Sequence, residues 1–439
     1  MNPKYVKKLL LSKIENVALN PSDYCVNSRT DFTRNRKLSL KQMLTGIVGM
    51  GGGTLSNELL DMFDYSADTA SSSAFIQQRN KIKPEAFETI FKSFTTDISL
   101  ETNNNELSIL AVDGSDIQIA TNPDDEDSYM PGSNGQKPYN LLHLNALYDL
   151  NQYIYSDAII QKKREHNEHK ALVDMVDLST IPNALVIADR GYESYNNMAH
   201  IQEKGWKFLI RIKDGSVGIK SSFELPDDNC FDVNIQLKLT RKQTNETKEL
   251  FKDKNHYKFI PTKSTFDYLP VKNRKAEPIK FYELNFRMVR FQISDDAYET
   301  VLTNMDADEY PPEELKKLYA ARWGIETSFR DLKYTIGLLN FHSKKVMCIQ
   351  QEIYAHLTMY NFTQMITSHV VIKKKQRKYI YKANFSIAAH MCRLFYYGKT
   401  TSPNLEAIIA KNIIPIRPDR HRHRNMITKT FISFLYRVA

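Results

Sequence analysis

The segment NALVIADRGYESYNNMAHIQEKGWKFLIRIK, residues 183–213, changes period twice. An apolar run stops at Asp189, SYNNMAHIQEKG has the pattern of a helix, and WKFLIRIK is strand-like again. Toward the N-terminus, EHNEHKALVDMVDL (165–178) is helix-like. QYIYSDAII (152–160), LLHLNALYDL (141–150) and LSILAVDGSDIQIA (107–120) are strand-like, the last breaking at Asp113-Gly114. Strand, strand, strand, helix, strand, helix, strand implies an α/β protein with a mixed sheet covered by helices.

The flanks differ from this centre. KLSLKQMLTGIVGM (37–50) predicts a helix closed by Gly51, Gly52 and Gly53; SSSAFIQQRNKIKPEAFETIFKSF (71–94) predicts a serine-capped helix and a second one after Pro84. Gln77, Gln78, Arg79 and Lys81 there are candidates to face DNA, against the commoner meaning of a charged outer face. FDVNIQLKLT, YELNFRMVRFQI and YETVLTNM predict an all-β insertion, and the prolines of YPPEELKKL (310–318) start a further helix. The expected organisation is an N-terminal helical domain at 1–105 and a core in two parts, 106–214 and 306–370. The β-rich insertion takes 215–305 and a basic helical region takes 371–439.

The chain of 439 residues carries a net charge of +9, unevenly spread. Residues 341–439 hold 17 Lys and Arg against 3 Asp and Glu, so the remainder is acidic on balance. A basic block of this kind is explained by a polyanionic partner, since cations that neutralise phosphates release condensed counterions. KKKQRK (373–378) and Arg417, Arg420, Arg422 and Arg424 supply much of it. No apolar run long enough to span a membrane and no signal peptide appears. Cys25, Cys230, Cys348 and Cys392 form no C-x-x-C pair, which disfavours disulfides and zinc and fits a cytoplasmic protein. His166 with His169, and His421 with His423, lack zinc-site partners. The acidic DDED at 124–127 is expected to be a solvated loop, and Lys162, Lys163 and Arg164 are either a solvated cluster or a backbone contact for DNA.

Chemistry concentrates at three carboxylates. AVDGS and ADRGY each end an apolar run in an aspartate followed within two residues by glycine, Asp113 and Asp189. Ends of sheet strands are where side chains converge on ligands, although a single such aspartate is more often a turn former. In YAARWGIETSFRDLK (319–333), an ideal helical wheel brings Tyr319, Arg322, Glu326 and Lys333 within roughly 60° of one another. They border the apolar arc of Leu318, Ile325, Phe329 and Leu332, with Gly324, Ser328 and Asp331 on the far side and Trp323 packing off the line. A solvated edge with one Arg322–Glu326 pair would contribute only about 0.2 to 0.5 kcal/mol. Three carboxylates in one cleft repel unless cations lie between them, and hard divalent ions with oxygen ligands answer that need. Two such ions would clamp the attacking and leaving oxygens of phosphodiester cleavage or transfer. The phosphate-loop pattern G-x-x-x-x-G-K-[ST] is absent, which disfavours nucleotide hydrolysis.

These residues carry a resemblance. The chain resembles the DDE transposases of bacterial insertion sequences, in the insertion-sequence-four branch with the signature Tyr-x2-Arg-x3-Glu-x6-Lys. Tyr319, Arg322, Glu326 and Lys333 match that spacing, Asp113 matches the Asp-Gly-Ser strand and Asp189 the Asp-Arg-Gly-aromatic turn. The β-rich insertion and the ending IRPDRHRHR are also similar to this branch, and the resemblance covers roughly 106–439. It implies a ribonuclease H-like core in which Asp113, Asp189 and Glu326 hold two Mg²⁺ ions, with Mn²⁺ able to substitute. It also implies that Tyr319, Arg322 and Lys333 contact double-stranded DNA near the cut. Transposon terminal inverted repeats and target DNA would be the partners, and a homodimer would form on paired ends.

Relatives hold a flipped base on an aromatic of the insertion, for which Phe281, Tyr282, Phe286, Phe291 and Tyr298 are candidates. Arg211, at the end of FLIRIK, is placed to reach the metal cleft or to face solvent. The rivals are a ribonuclease H-like nuclease without joining activity and a catalytically idle DNA-binding derivative.

Overall fold

The computed structural model describes residues 1–34, 37–102, 106–132, 137–215, 218–271, 278–372 and 378–416, and the backbone of 435–436. Arg417, Arg420, His421, Arg422, His423, Arg424 and residues 373–377 of the basic stretch lie outside the described residues. Six helices come first: α1 (Pro3–Ala18), α2 (Pro21–Tyr24), α3 (Leu40–Gly49), α4 (Leu55–Met62), α5 (Ser72–Arg79) and α6 (Glu85–Thr102). Their starts follow from capping. Ser39 and Gln42 form a reciprocal capping box on α3, and Ser71 Oγ accepts from the Ala74 amide at 3.2 Å to open α5.

The sheet then begins with β1 (Ser108–Ile119), β2 (Tyr129–Met130), β3 (Tyr139–Asp149) and β4 (Ile154–Lys162). After α7 (Glu168–Leu178) come β5 (Ala184–Ala188), α8 (Tyr195–Glu203) and β6 (Lys207–Arg211). The segment predicted to be all-β holds β7 (Phe231–Thr240), a short helix α9 (Asn245–Leu250), β8 (Tyr257–Phe259), β9 (Tyr282–Ser294) and β10 (Ala297–Thr303). Thr244 and Thr247 cap that helix reciprocally, which is why it forms among strands. Next are α10 (Pro312–Ala321), α11 (Trp323–Asp331), a π-helical turn (Leu332–Ile336), β11 (Asn340–Phe341) and α12 (Val346–His369). β12 (Ile380–Ala383), α13 (Phe385–Tyr396), α14 (Ser402–Lys411), β13 (Ile413–Ile416) and β14 (Leu435–Tyr436) complete the chain.

Ten strands form one mixed sheet in the order β2-β3-β1-β5-β6-β10-β9-β7-β8, with β4 also pairing β3. β1, β5 and β6 run parallel, while β3 is antiparallel to β1 and β10 to β6. The strands after β6 therefore extend the same sheet. Helices cover both faces. Leu110, Val112, Val186 and Ile210 pack with α7 and α8 on one side, and Ala111, Leu144 and Tyr148 pack with α11 and α12 on the other. The six N-terminal helices join the latter core through α12. Within it Gly337, at φ +108°, closes the π turn so tightly against Gly51 and Gly52 that a methyl group on it would meet the Gly52 nitrogen at 3.1 Å. Among the described residues no helix is long and apolar enough to cross a membrane.

Three expectations are corrected here. Arg79 does not face outward: it is 2% exposed and bound to Glu352, because α5 packs that side against α12. The DDED loop is not simply solvated, since Asp125 and Asp127 hold Lys162 at 2.6 and 3.3 Å. β1 does not break at Asp113-Gly114 but runs on to Ile119, paired throughout with β3.

Candidate active site

Register brings the two aspartates level. β1 and β5 pair in parallel as far as Ala111 beside Ile187; Asp113 and Asp189 each follow two residues on, close enough that Asp189 raises the Asp113 pKa. Side chains alternate along β1. Ala111, Asp113 and Ser115 face α11, while Val112, Gly114 and Asp116 face α7. Each aspartate ties one oxygen to a following glycine amide: the Gly114 amide donates to Asp113 Oδ1 at 2.9 Å and the Gly191 amide to Asp189 Oδ1 at 2.7 Å.

α11 crosses over β1 and carries Glu326. Arg322 lies between the carboxylates, with Nη2 2.8 Å from Glu326 Oε1 and Nη1 3.8 Å from Asp113 Oδ2. Its guanidinium also sits 5.9 Å from the Tyr319 ring centroid. Burial pushes the Asp113 carboxyl up to about 6; the Gly114 amide and Arg322 pull it down, and Asp189 and Glu326 raise it further. Buried polar atoms without hydrogen-bond partners lie here, namely Arg322 Nε and Tyr192 Oη. Such orphans cost about 1 to 3 kcal/mol each when left unsatisfied.

Lys333 donates from Nζ to Ser115 Oγ at 2.6 Å and to the Asp116 carbonyl at 3.2 Å, and burial lowers its pKa. Arg211 pairs with Glu299 at 3.3 Å, with its charge next to Tyr319. The structure thus brings Asp113, Asp189, Glu326, Tyr319, Arg322 and Lys333 to one cleft, with Arg211 at its margin.

The helical wheel is corrected in part. Amide bonds from Arg322 to Tyr319 and from Ile325 to Arg322 tighten the chain, so α10 and α11 are separate segments. Gly324 and Ser328 consequently face the sheet: a methyl on Gly324 would meet Leu150 Cδ2 at 2.6 Å, and Ser328 bonds Tyr155 Oη at 2.9 Å. Trp323 is 51% exposed and does not fill the core as expected. Among the aromatics of residues 215–305, Phe286 and Phe291 are buried and Tyr282 bonds Glu203, leaving Phe281 and the Arg290-stacked Tyr298 nearer the surface.

The donor set is all hard oxygen, which suits Mg²⁺ or Mn²⁺ far better than a soft metal. With the side chains as they stand, no three His, Cys, Asp or Glu groups among the described residues are close enough to hold a metal ion. Arg322 supplies the positive charge in their midst instead. The partnerless Arg322 Nε and a carboxyl with its pKa raised fit a site built for a further cation and an anion.

A second polar group, not anticipated from sequence, lies behind β1. His143 Nδ1 is 2.6 Å from Asp116 Oδ1, and its Nε2 is 3.0 Å from Glu168 Oε1. Lys163 holds Asp116 at 2.9 and 3.1 Å. The only signal in sequence was a histidine inside the apolar LLHLNALYDL. The His166 ring lies 4.9 Å from that of His143, tilted by 48°, and His169 meets Asn197 at 2.8 Å.

Residues 104–362, more than half of the chain, match the family described as the transposase DDE domain. The chain is 22% identical over 355 residues to "Transposase InsG for insertion sequence element IS4" of Escherichia coli (strain K12), covering 77% of this chain and 72% of that relative. A solved structure, the piggyBac transposase synaptic complex with hairpin DNA, superposes with a TM-score of 0.42 at 10% identity, covering 96% of this chain and 87% of that one.

Proposed function

The chain belongs to the transposase DDE domain family, and we propose that it is a DNA transposase that nicks transposon ends and joins the freed 3′-hydroxyl to target DNA. Asp113, Asp189 and Glu326 are its metal ligands and Mg²⁺ its ion, with Mn²⁺ as a substitute. The observation that carries this is the meeting of Asp113 and Glu326 across one largely buried guanidinium, with Asp189 near enough to act on the Asp113 charge. When bound, two ions would supply the clamp on the attacking and leaving oxygens.

The chain's own residues do the rest. Asp113 and Asp189 are fixed by their glycine amides and Glu326 by a rigid helix, so three oxygen donors are preorganised at small entropic cost. Arg322, which lies between Asp113 and Glu326, would serve as the cation that binds a phosphate of the cut strand. Tyr319 and Lys333 hold neighbouring phosphates and Arg211 one at the margin. These contacts position the duplex and do not specify its bases.

The order β4-β3-β1-β5-β6, with only β3 antiparallel among β3, β1, β5 and β6, supports a ribonuclease H-like core from 106–214 and 306–370. Residues 215–305 are then an insertion that widens the sheet. Residues 1–105 and the basic 371–439 flank the core and bind DNA, with a homodimer on paired ends in the bacterial cytoplasm.

Paired inverted-repeat ends, a target duplex and Mg²⁺ test this directly. The expected products are nicked ends followed by joined DNA. Nicking without joining would instead indicate a nuclease, and retained cleavage by Glu326→Ala would refute the ligand assignment.

A further inference from the structure

Glu168 stands in the first turn of α7, on the sheet face opposite α11. Its Oε1 reaches His143 and also lies against β1, where a methyl group on Gly114 would meet it at 2.9 Å and His143 Nε2 at 2.3 Å. Its Oε2 faces the turn after β5: a methyl on Gly191 would lie 3.9 Å from it and 2.9 Å from Asp189 Oδ1. The carboxylate therefore fills the gap between the strand of Asp113 and the turn of Asp189, and only glycine at 114 leaves it room. His143 is 4% exposed and clamped from behind by Asp116, itself held by Lys163. The line Lys163, Asp116, His143, Glu168 runs under β1 to the Glu168 side chain, which is still 33% exposed. The buried Nε2 of His143 holds Glu168 Oε1 at 3.0 Å. With Oε1 held by His143, Oε2 is the oxygen directed at the Asp189 turn.

We propose that Glu168 is a fourth carboxylate of the cleft, that it orients the water attacking the phosphodiester during nicking, and that His143 is its positioning residue. The inference rests on the transposase reading above. In nicking, a bond forms between the water oxygen and phosphorus while the bond from phosphorus to the 3′ oxygen breaks. The water's proton passes along its hydrogen bond to Glu168 and on to solvent, and the departing 3′ oxygen takes a proton from solvent. Joining uses a 3′-hydroxyl already placed by the DNA, so it does not need that water. The two steps must therefore respond differently to loss of Glu168.

The test uses the full-length protein with Mg²⁺ and two substrates, intact ends to read nicking and pre-nicked ends with a free 3′-hydroxyl to read joining. Glu168→Gln is expected to slow nicking on the order of 100-fold, while joining of pre-nicked ends stays within about threefold of wild type. His143→Asn should show the same asymmetry at about tenfold, and it carries the test if the first variant does not fold. End binding and Mn²⁺ affinity should be unchanged in both. Equal loss of both steps, or unimpaired nicking, overturns the proposal. A wild-type protein that neither nicks nor joins overturns the transposase reading itself.

Discussion

Two charged clusters flank the α11–α12 region, and they are built to opposite rules. At the base of α12, Arg79 is 2.6 Å from Glu352, 2.9 Å from Gln351 Oε1 and 2.5 Å from the Cys348 carbonyl. The other Glu352 oxygen takes His342 at 3.2 Å. Burial would raise the Glu352 carboxyl, yet Arg79 and His342 hold it down at about 2. In the cleft, Arg322 faces two carboxylates at unequal distances, keeps an unsatisfied Nε, and leaves Asp113 up near 6. The first cluster is closed and joins the N-terminal helices to the core. The second leaves Arg322 only partly paired and Asp113 with a raised pKa, as the proposed ion and phosphate site would need.

The sharpest way to break this contrast is to substitute on each side. Asp113→Asn should remove cleavage to background while raising stability at pH 7 by an amount on the order of 3 kcal/mol at most, the upper bound from a shift between 3.8 and about 6. Urea titration beside a nicking assay checks both; a less stable variant would refute the contrast. Glu352→Ala should do the reverse, destabilising the fold by about 3 to 5 kcal/mol by stranding Arg79 while the folded fraction keeps its Mn²⁺ affinity.

The pH dependence carries the same contrast. Because the folded pKa of Asp113 lies above its unfolded value, the native state binds the extra proton between about 4 and 6. Its contribution is most favourable at low pH and is lost as pH rises through 6, so wild type and Asp113→Asn should diverge over that window. Glu352 is of opposite sign: its contribution is present above 4.5 and is lost as pH falls toward 2. Arg322→Ala should tighten Mn²⁺ binding without DNA by about tenfold, or roughly 1.4 kcal/mol, read by electron paramagnetic resonance. The smallest effect is expected for Lys333→Ala, which should lower the salt slope of end binding by about one.

Much of this was readable from local pattern. The strand ending at Asp189, the helices before and after it, and the serine-capped α5 follow from period and capping alone. Other features were not, because their causes are distant in sequence. Asp113-Gly114 has the chemistry of a turn, yet Gly114 is small to clear His143 and Glu168 across the sheet. The wheel placed Ser328 outside because it assumed one uninterrupted helix, and the tight step at Arg322 was invisible to it. Arg79 read as a surface cation because its partner is 273 residues away. His143 and Glu168 were missed for the same reason: the signature residues announce themselves by spacing, and this pair meets only when β3 and α7 are in place.

Gly337 sets a mechanical tolerance. Its backbone rests on Gly51 and Gly52 with no side chain between, directly after the turn that aims Lys333 at β1. A single methyl inserted at that seam would wedge the leading helices away from the lever carrying Lys333. The front hundred residues and the lever therefore cannot drift independently, and a chimera that swaps one without the other would misalign the grip on the substrate backbone.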